Sequence, residues 1–378
     1  MIRSWLIFVL FSFSCAVVAQ ETRLKLVFTG DIMGHDTQIA SALATGEPGY
    51  DYHSCFQYLK PYFDDADIVI SNLEVTLAGP PYKGYPQFSS PDALADALKE
   101  SGFDILVTAN NHALDRRQSG LERTLEQLHQ RGILHTGTFI NPNMRTLYYP
   151  LVVEKNGIRL ALLNYTYGTN GLKVPPPAIV NRIDTAQIRQ DLQKAFTAEP
   201  DFILVTMHWG DEYQLTENRK QRELAAFLFD HGADVIIGSH PHVVQPIRGE
   251  GKGNLVAYSM GNLISNQRNR YRDGGIAFEF ELVKGVNGEG HDNGESGDNS
   301  ERGSEYVAIV NSGYLPIWVH KPLTKEGTMF TLVPAAIDSS SNSQFQMTTE
   351  EKNKMSQFLK DTRANLNGQR EVEPYWIK

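Results

Sequence analysis

The chain has 378 residues, of which 41% are hydrophobic and 21% charged, with a formal net charge of -9. That apolar content excludes global disorder, and the negative charge argues against a general nucleic-acid binder, which needs basic groups to displace counterions. An anionic ligand is not excluded, because a bound cation reverses the sign of the local field.

In chain order, residues 1–5 carry one cation, Arg3, and residues 6–18 are almost wholly apolar or small. Ala19 comes next, with Val17 two positions before it. This pattern is that of a secretory leader over 1–19, too short for a comfortable transmembrane helix. The protein is therefore expected outside the cytoplasmic membrane, periplasmic or extracellular, with the leader either cleaved or kept as an anchor. Cys15 offers a lipid attachment point, although residues 11–14 make a poor signal for it. Without the leader Cys55 is the lone cysteine, so no internal disulfide is expected and a buried, inert thiol is.

One domain is expected over 22–336. Apolar runs of strand length occur at 24–29, 68–71, 105–108, 159–164, 202–207, 235–237 and 255–259. They are apolar at consecutive positions, as strands covered on both faces are. Helices are expected between them. Pro91 and Asp92 open 93–100, and Gly102 stops it. The segment 120–130 sets Leu121, Leu125 and Leu128 on one face before Gly132. Asp184 caps 186–196, whose apolar face holds Ile188, Leu192 and Phe196. The segment 218–230 presents Leu224, Phe227 and Leu228 before Gly232. Strand and helix alternate, which predicts an α/β layered domain with a substantially parallel sheet. The segment 285–304 has nothing apolar between Val286 and Tyr306. It reads as a flexible insertion between paired strands at 276–283 and 306–310, with His291 in solvated loop. Short strands are expected at 317–320 and 329–333. A polar helix near 349–364 then lies within a C-terminal segment, 337–378.

The chemistry gathers just past the strand ends. Asp31 and Met33 come after the first, Asn72 and Glu74 after the second, and Asn110, Asn111 and His112 after the third, with Asp115 three further on. His208, Trp209, Asp211 and Glu212 succeed the run at 202–207. His240 and His242 succeed the run at 235–237, and Asn262 the run at 255–259. Parallel strands place their carboxyl ends on one edge, where open α/β sheets bind ligands. Carboxylate, imidazole and carboxamide are the donors that hold zinc and similar divalent ions. Singly, each has an ordinary structural use: a turn at Asp31, a helix cap at Asn111, a core histidine at His208, a surface carboxylate at Glu74. Five strand ends doing this together favour a metal site. Glu74 or Asp31 can bridge two ions, while Asn111, His208, His240 and His242 are neutral donors. Such ions bind an anionic group and acidify water for attack on it. His112 can protonate a leaving group, and Asp115 either orients that imidazole or serves a helix start.

The segments Gly-Asp-Ile-Met (30–33), Asn-Leu-Glu (72–74), Ala-Asn-Asn-His (109–112), His-Trp-Gly (208–210), Gly-Ser-His-Pro-His (238–242) and Tyr-Ser-Met-Gly-Asn (258–262) together resemble the CapA family. These are capsule or poly-γ-glutamate biosynthesis proteins, similar to calcineurin-like metallophosphoesterases. The resemblance runs from about residue 24 to about residue 334. It implies a four-layer α/β/β/α sandwich and one or two divalent ions, manganese, zinc or iron. The implied ligands are Asp31, Glu74, Asn111, His208, His240 and His242, with His112 as the acid and Asp115 beside it. Met33 stands where the wider phosphoesterase pattern has histidine, and Glu74 where it has aspartate, so one ion position is left weaker. His35 either compensates or is an exposed loop residue. Tyr165, Trp209 and Asn262 are candidate substrate contacts, though the aromatic residues could equally be core. The implied role is in making, attaching or exporting an anionic polymer, as a hydrolase or transferase, as a phosphodiesterase, or as a non-catalytic partner. An anionic polymer or phosphoester is the expected substrate, membrane-bound synthase components are possible partners, and no nucleic acid is expected.

Overall fold

The computed structural model describes residues 21–43, 49–250, 253–286, 305–325, 327–336 and 345–377. The expected leader with Cys15, and residues 287–304 of the expected insertion with His291, lie outside the described residues. In chain order come β1 (Thr22–Ile32), α1 (Asp36–Leu43), α2 (His53–Phe56), α3 (Lys60–Asp64), β2 (Ile68–Leu73), α4 (Ala93–Glu100), β3 (Ile105–Val107), α5 (Arg117–Gln130) and β4 (Leu134–Thr136). Next are β5 (Thr138–Phe139), α6 (Pro142–Tyr148), β6 (Leu151–Lys155), β7 (Ile158–Thr166), β8 (Ile179–Val180), α7 (Thr185–Phe196), β9 (Phe202–His208), α8 (Arg219–Asp230) and β10 (Val235–Ser239). The remainder is β11 (Ile247–Glu250), β12 (Asn254–Ala257), β13 (Asn262–Ile264), β14 (Gly274–Val286), β15 (Glu305–His320), β16 (Leu323–Thr324), β17 (Gly327–Thr328), β18 (Thr331–Pro334) and α9 (Thr349–Asn365).

Two sheets face one another. One runs β18-β15-β14-β1-β2-β3-β4 with β13 also on β1; the other runs β11-β12-β10-β9-β7-β6. Leu24, Leu26 and Phe28 of β1 and Ile68 and Ile70 of β2 pack with Leu160 and Leu162 of β7, Phe202 and Leu204 of β9, and Val235 and Ile237 of β10. The alternate residues face outward. Val27, Val69 and Leu106 meet α2, α3 and α4 through Phe56, Phe63 and Leu98. Leu163, Val205 and Ile236 meet α7 and α8 through Ile188, Leu192 and Leu228. Side chains alternate across a strand, so a strand buried on both faces must be apolar throughout. This is the expected α/β/β/α sandwich.

The sheets are mixed rather than largely parallel. β1, β2, β3 and β4 pair in parallel, as do β7, β9, β10 and β12, while β14, β15, β18, β6 and β11 pair antiparallel at the flanks. The runs at 306–310 and 317–320 belong to one strand, β15, with a register shift between Glu279 and Glu281 on its partner. Helix α4 has the expected bounds, and Asp184 caps α7 by accepting from the amides of Ala186 and Gln187. Asn218 and Gln221 form a reciprocal cap on α8. Phe196, expected on the apolar face of α7, is 52% exposed because the helix ends there. The short α2 and α3 carry no side-chain cap that sequence could announce. The polar α9 packs Met355 and Phe358 on Trp318 and Val333, and Trp376 stacks on Tyr62.

Leu204 lies between the sheets at 1% exposure. Leu204→Ala is expected to lower the unfolding free energy by about 2–5 kcal/mol, read as a lower urea midpoint with unchanged slope.

Candidate metal centre

The inter-sheet layer turns polar at the carboxyl ends of β1, β2, β9 and β10. The alternation that sends Ile68 and Ile70 inward sends Asn72 inward too, and that of Phe202 and Leu204 carries Thr206 and His208 there. Val235 and Ile237 lead in the same way to Ser239, which pairs in register with His208. β13 closes the edge by pairing Asn262 with Asp31. A Cβ on Gly30 would lie 2.2 Å from the Gly261 carbonyl oxygen, and one on Gly238 would lie 1.9 Å from that of Tyr258. Only glycine permits these approaches.

Asp31, Glu74 and His208 are fully buried, and Asn111, His240 and His242 nearly so. Asn72 Nδ2 donates to Asp31 Oδ1 at 2.8 Å and approaches Glu74 Oε2 at 3.4 Å. His208 Nε2 lies 2.9 Å from Asn111 Oδ1 and 3.6 Å from Glu74 Oε1. His242 Nε2 lies 3.7 Å from the same Glu74 oxygen. The ligand atoms of Glu74, His240 and His242 lie within 4.8 Å of one another, as do those of Asp31, Glu74 and His208, so Glu74 is common to both groups. All six expected ligands are thus brought together.

The local electrostatics are those of a site short of positive charge. Burial and the neighbouring Asp31 push the Glu74 carboxyl well above the usual range. Burial pulls His208 well below the ordinary imidazole value and His240 down to about 3, with neighbouring imidazoles adding to it. Glu74 Oε1 and His240 Nδ1 are buried without a hydrogen-bond partner. Buried polar atoms are rarely left this way, and such an atom calls for a ligand. A divalent ion fits. With bonds of about 2.1 Å, its ligand atoms sit roughly 3.0–3.4 Å apart, close to the spacings of the Glu74, Asn111 and His208 atoms.

The surrounding groups suit it as well. His242 Nδ1 lies 3.0 Å from Asn262 Oδ1, and Asn262 Nδ2 donates to the Arg272 carbonyl at 2.9 Å. This fixes the amide so that it accepts from Nδ1 and leaves Nε2 facing Glu74. His208 Nδ1 meets the Ser239 hydroxyl at 2.9 Å, a group that accepts as readily as it donates. His240 and His242 hold φ of 99° and 56°, strained for residues with a side chain and typical of a site held by its surroundings.

His112 Nδ1 lies 2.7 Å from Asp115 Oδ2, which also accepts from the Phe88 amide at 2.8 Å. Asp115 therefore orients the imidazole and does not cap α5, which begins at Arg117 without a side-chain cap. The Phe88 ring meets His112 edge-on at 4.7 Å.

All three candidate substrate contacts are corrected. Tyr165 has the parity of Ala161 and Leu163, so it faces α7, is fully buried, and donates to Asp191 Oδ2 at 2.9 Å. Trp209 has the parity of Val205 and Met207 and donates Nε1 to the Tyr258 carbonyl in the same outer layer. Both lie on the far side of the second sheet from the cluster. Asn262 is fully buried and holds His242, so it positions a ligand and offers no surface to a substrate. His35 is half-buried, not an exposed loop residue: its amide donates to Gln38 Oε1 at 2.9 Å, its Nδ1 accepts from the Asn266 amide at 3.2 Å, and its ring packs on Phe88. Met33 lies in the helix-facing core of the first sheet.

The aromatic at the site is Tyr167, whose ring lies 4.5 Å from that of His240 and parallel to that of His208 at 6.1 Å. Its hydroxyl reaches Asn111, and burial pushes it up to about 12. The order of residues along the chain sets Asn72, Asn110 and Ser239 at strand ends but gives none of them a role. Asn110 Nδ2 donates to Asn72 Oδ1 and to the Leu73 carbonyl, so it holds Asn72 in place. Strand parity from the apolar runs identifies Asn72 and Ser239 and rejects Tyr165.

Residues 25–267 match the family model described as bacterial capsule synthesis protein PGA_cap. The chain is 31% identical over 315 residues to the PGA biosynthesis protein CapA of Bacillus subtilis (strain 168), over 75% of this chain and 76% of that one. It is 28% identical over 268 residues to the capsule biosynthesis protein CapA of Bacillus anthracis, over 66% of this chain and 61% of that one. Among solved structures it is similar to the NAD nucleotidase of Haemophilus influenzae at 13% identity and TM-score 0.44, covering 93% of this chain and 57% of that one. For the calcineurin-like phosphoesterase YfkN of Bacillus subtilis the values are 14% and 0.39, covering 77% and 91%.

Because Tyr165 faces away from the cluster, Tyr165→Phe is expected to lower stability by about 1–2 kcal/mol through its lost buried hydrogen bond. Uptake of manganese or zinc, read by mass spectrometry of the eluted protein, should be unchanged.

Proposed function

Since the chain belongs to the CapA family of bacterial capsule synthesis proteins, we propose that it is a metal-dependent hydrolase or transferase acting on an anionic exopolymer. We place it outside the cytoplasmic membrane, exported by the apolar segment at 6–18. Among the described residues no helix is long and apolar enough to cross a membrane. Membrane-bound synthase components are its proposed partners, and its negative charge speaks against nucleic acid.

The observation that carries this reading is Glu74 Oε1, a buried oxygen without a partner, faced by the imidazoles of His208 and His242. Glu74 would be the shared ligand, with Asp31, Asn111, His208, His240 and His242 completing one or two positions. When bound, a divalent ion supplies Lewis-acid polarisation of the scissile group and acidifies water beside it. His112 supplies the proton. Its Nδ1 is held by Asp115, so Nε2 is the nitrogen left to protonate the departing group. Tyr167 forms a wall over His208 and His240 and shields them from water. Asn72 and Asn262 hold Asp31 and His242 in place as charge changes around them.

Met33 favours a second reading, a non-catalytic assembly partner with a structural ion, since the position where the wider pattern has histidine is turned into the core. Comparing His112→Ala with His240→Ala separates the two. Metal content would be measured alongside turnover of a γ-glutamyl polymer and of bis-p-nitrophenyl phosphate, with manganese and with zinc. Catalysis requires His112→Ala to keep its metal and lose activity by about 10²–10⁴-fold, and His240→Ala to lose metal. Full activity in His112→Ala contradicts the catalytic reading. Faster turnover of the phosphodiester than of the polymer makes the protein a phosphodiesterase.

Binding of the ion must displace the proton that Glu74 holds unusually firmly, whereas His208 and His240 are already neutral. Affinity for manganese is therefore expected to rise with pH through the raised Glu74 range and to level off above it. Titrations at several pH values check this, and affinity independent of pH would contradict it.

A further inference from the structure

The cluster is built of carboxylates and neutral donors, so it does not by itself hold the flanking charges of an anionic chain. The loop after β13 carries three arginines, and they are used differently. Arg268 Nη1 donates to the Val319 carbonyl at 2.7 Å and its guanidinium lies over Trp318. Arg270 is locked to Asp361 of α9 by two bonds of 2.8 Å. Arg272 makes no ion pair with a carboxylate among the described residues. Its guanidinium carbon lies 3.7 Å from the centroid of the Tyr213 ring, and that ring lies 6.2 Å from the ring of His242.

Arg272 is tied to His242 a second time through the main chain. Its carbonyl accepts from Asn262 Nδ2, and Asn262 Oδ1 lies 3.0 Å from His242 Nδ1. Tyr213 is itself fixed, at φ 67°, by its amide donating to the Pro241 carbonyl at 2.8 Å, between the two histidines. The two ring spacings put the guanidinium at most about 10 Å from the His242 ring. The acids nearby are Asp211, which accepts from Asn218 Nδ2 at 2.7 Å, and the exposed Glu212, which accepts from the Tyr213 hydroxyl and whose charge reaches Glu74. Arg272 also donates to the Tyr213 hydroxyl; a guanidinium has five N–H donors in its plane, so stacking and that one bond leave the others for a ligand.

We propose that Arg272, seated on Tyr213, anchors an anionic oxygen group of the substrate, a carboxylate or a phosphate, next to the group held at the cluster. This rests on the reading of the cluster as a substrate-processing metal centre. A guanidinium pairs two oxygens of such a group at once, and Tyr213 orients it before the substrate arrives, so less side-chain freedom is lost on binding. The anchor selects acidic chains over neutral ones and sets where along the chain the cluster acts.

The test is calorimetric titration of the metal-loaded full chain at low salt with three probes: a γ-linked glutamate pentamer, the same pentamer with its α-carboxylates amidated, and inorganic phosphate. Wild type is compared with Arg272→Gln and Arg272→Lys. The expected result is that R272Q weakens the acidic pentamer by about tenfold or more, leaves the amidated pentamer and metal content unchanged, and that R272K keeps part of the affinity. A loss confined to inorganic phosphate also supports the anchor and makes phosphate its ligand. Equal affinities in wild type and R272Q, or equal losses for the acidic and amidated pentamers, overturn it. A wild type that holds metal and binds none of the probes overturns the anchor while the metal centre stands; a wild type that takes up no metal overturns both.

Discussion

Two carboxylates, Asp31 and Glu74, are fully buried within one hydrogen-bonded group, and among the described residues neither is paired with a lysine or arginine. Like charges in a medium of low dielectric cannot both persist without a counter-charge. The nearby His208 and His240 do not supply one, because burial holds both imidazoles neutral. His242 Nδ1 lies 3.2 Å from Asp31 Oδ2, while Glu74 Oε1 meets only imidazole nitrogens at 3.6 and 3.7 Å, which leaves Glu74 to a proton or to a cation between the rings. The raised Glu74 carboxyl is the first state, and its partnerless Oε1 marks the second.

The fold is arranged around that constraint. Two sheets pack through an apolar layer that excludes water, and the same inward-facing positions, followed to the strand ends and to the residue after β2, become Asn72, Glu74, His208 and Ser239. Asp31 reaches the group because β13 lies close against β1, an approach that a side chain at position 30 would block. His240 and His242 adopt unfavourable backbone angles on either side of Pro241, which the packing around them sustains. α9, although beyond the matched residues 25–267, holds this edge too: Asn365 Nδ2 donates to the Leu215 and Val244 carbonyls, and Asp361 clamps Arg270.

The strands that build both sheets are legible as runs of consecutive apolar residues, and the ligand set as polar residues just past their ends. Helices with strong local signals, α4, α7 and α8, are legible for the same reason. The features that escape are non-local. The antiparallel flanks arise from chain reversals that leave no signature in an apolar run. Tyr165 and Trp209 stand next to Thr166 and His208 in the chain, and that adjacency does not carry over into space; a shift of one residue along a strand turns a side chain to the opposite face. Tyr167 would share the outward face of Tyr165 if the strand continued, but β7 ends at Thr166, and the turn that follows lays its ring against His208 and His240. Asn262 is legible as a site residue, but its use in holding His242 depends on the close pairing of β1 and β13.

The most direct measurement is the anomalous scattering of crystals grown with manganese. The account requires a peak within about 2.0–2.3 Å of Glu74 Oε1, with nitrogen from His208, His240 or His242 in the same shell. A crystal showing no peak there, or with manganese bound only to surface carboxylates, would contradict it.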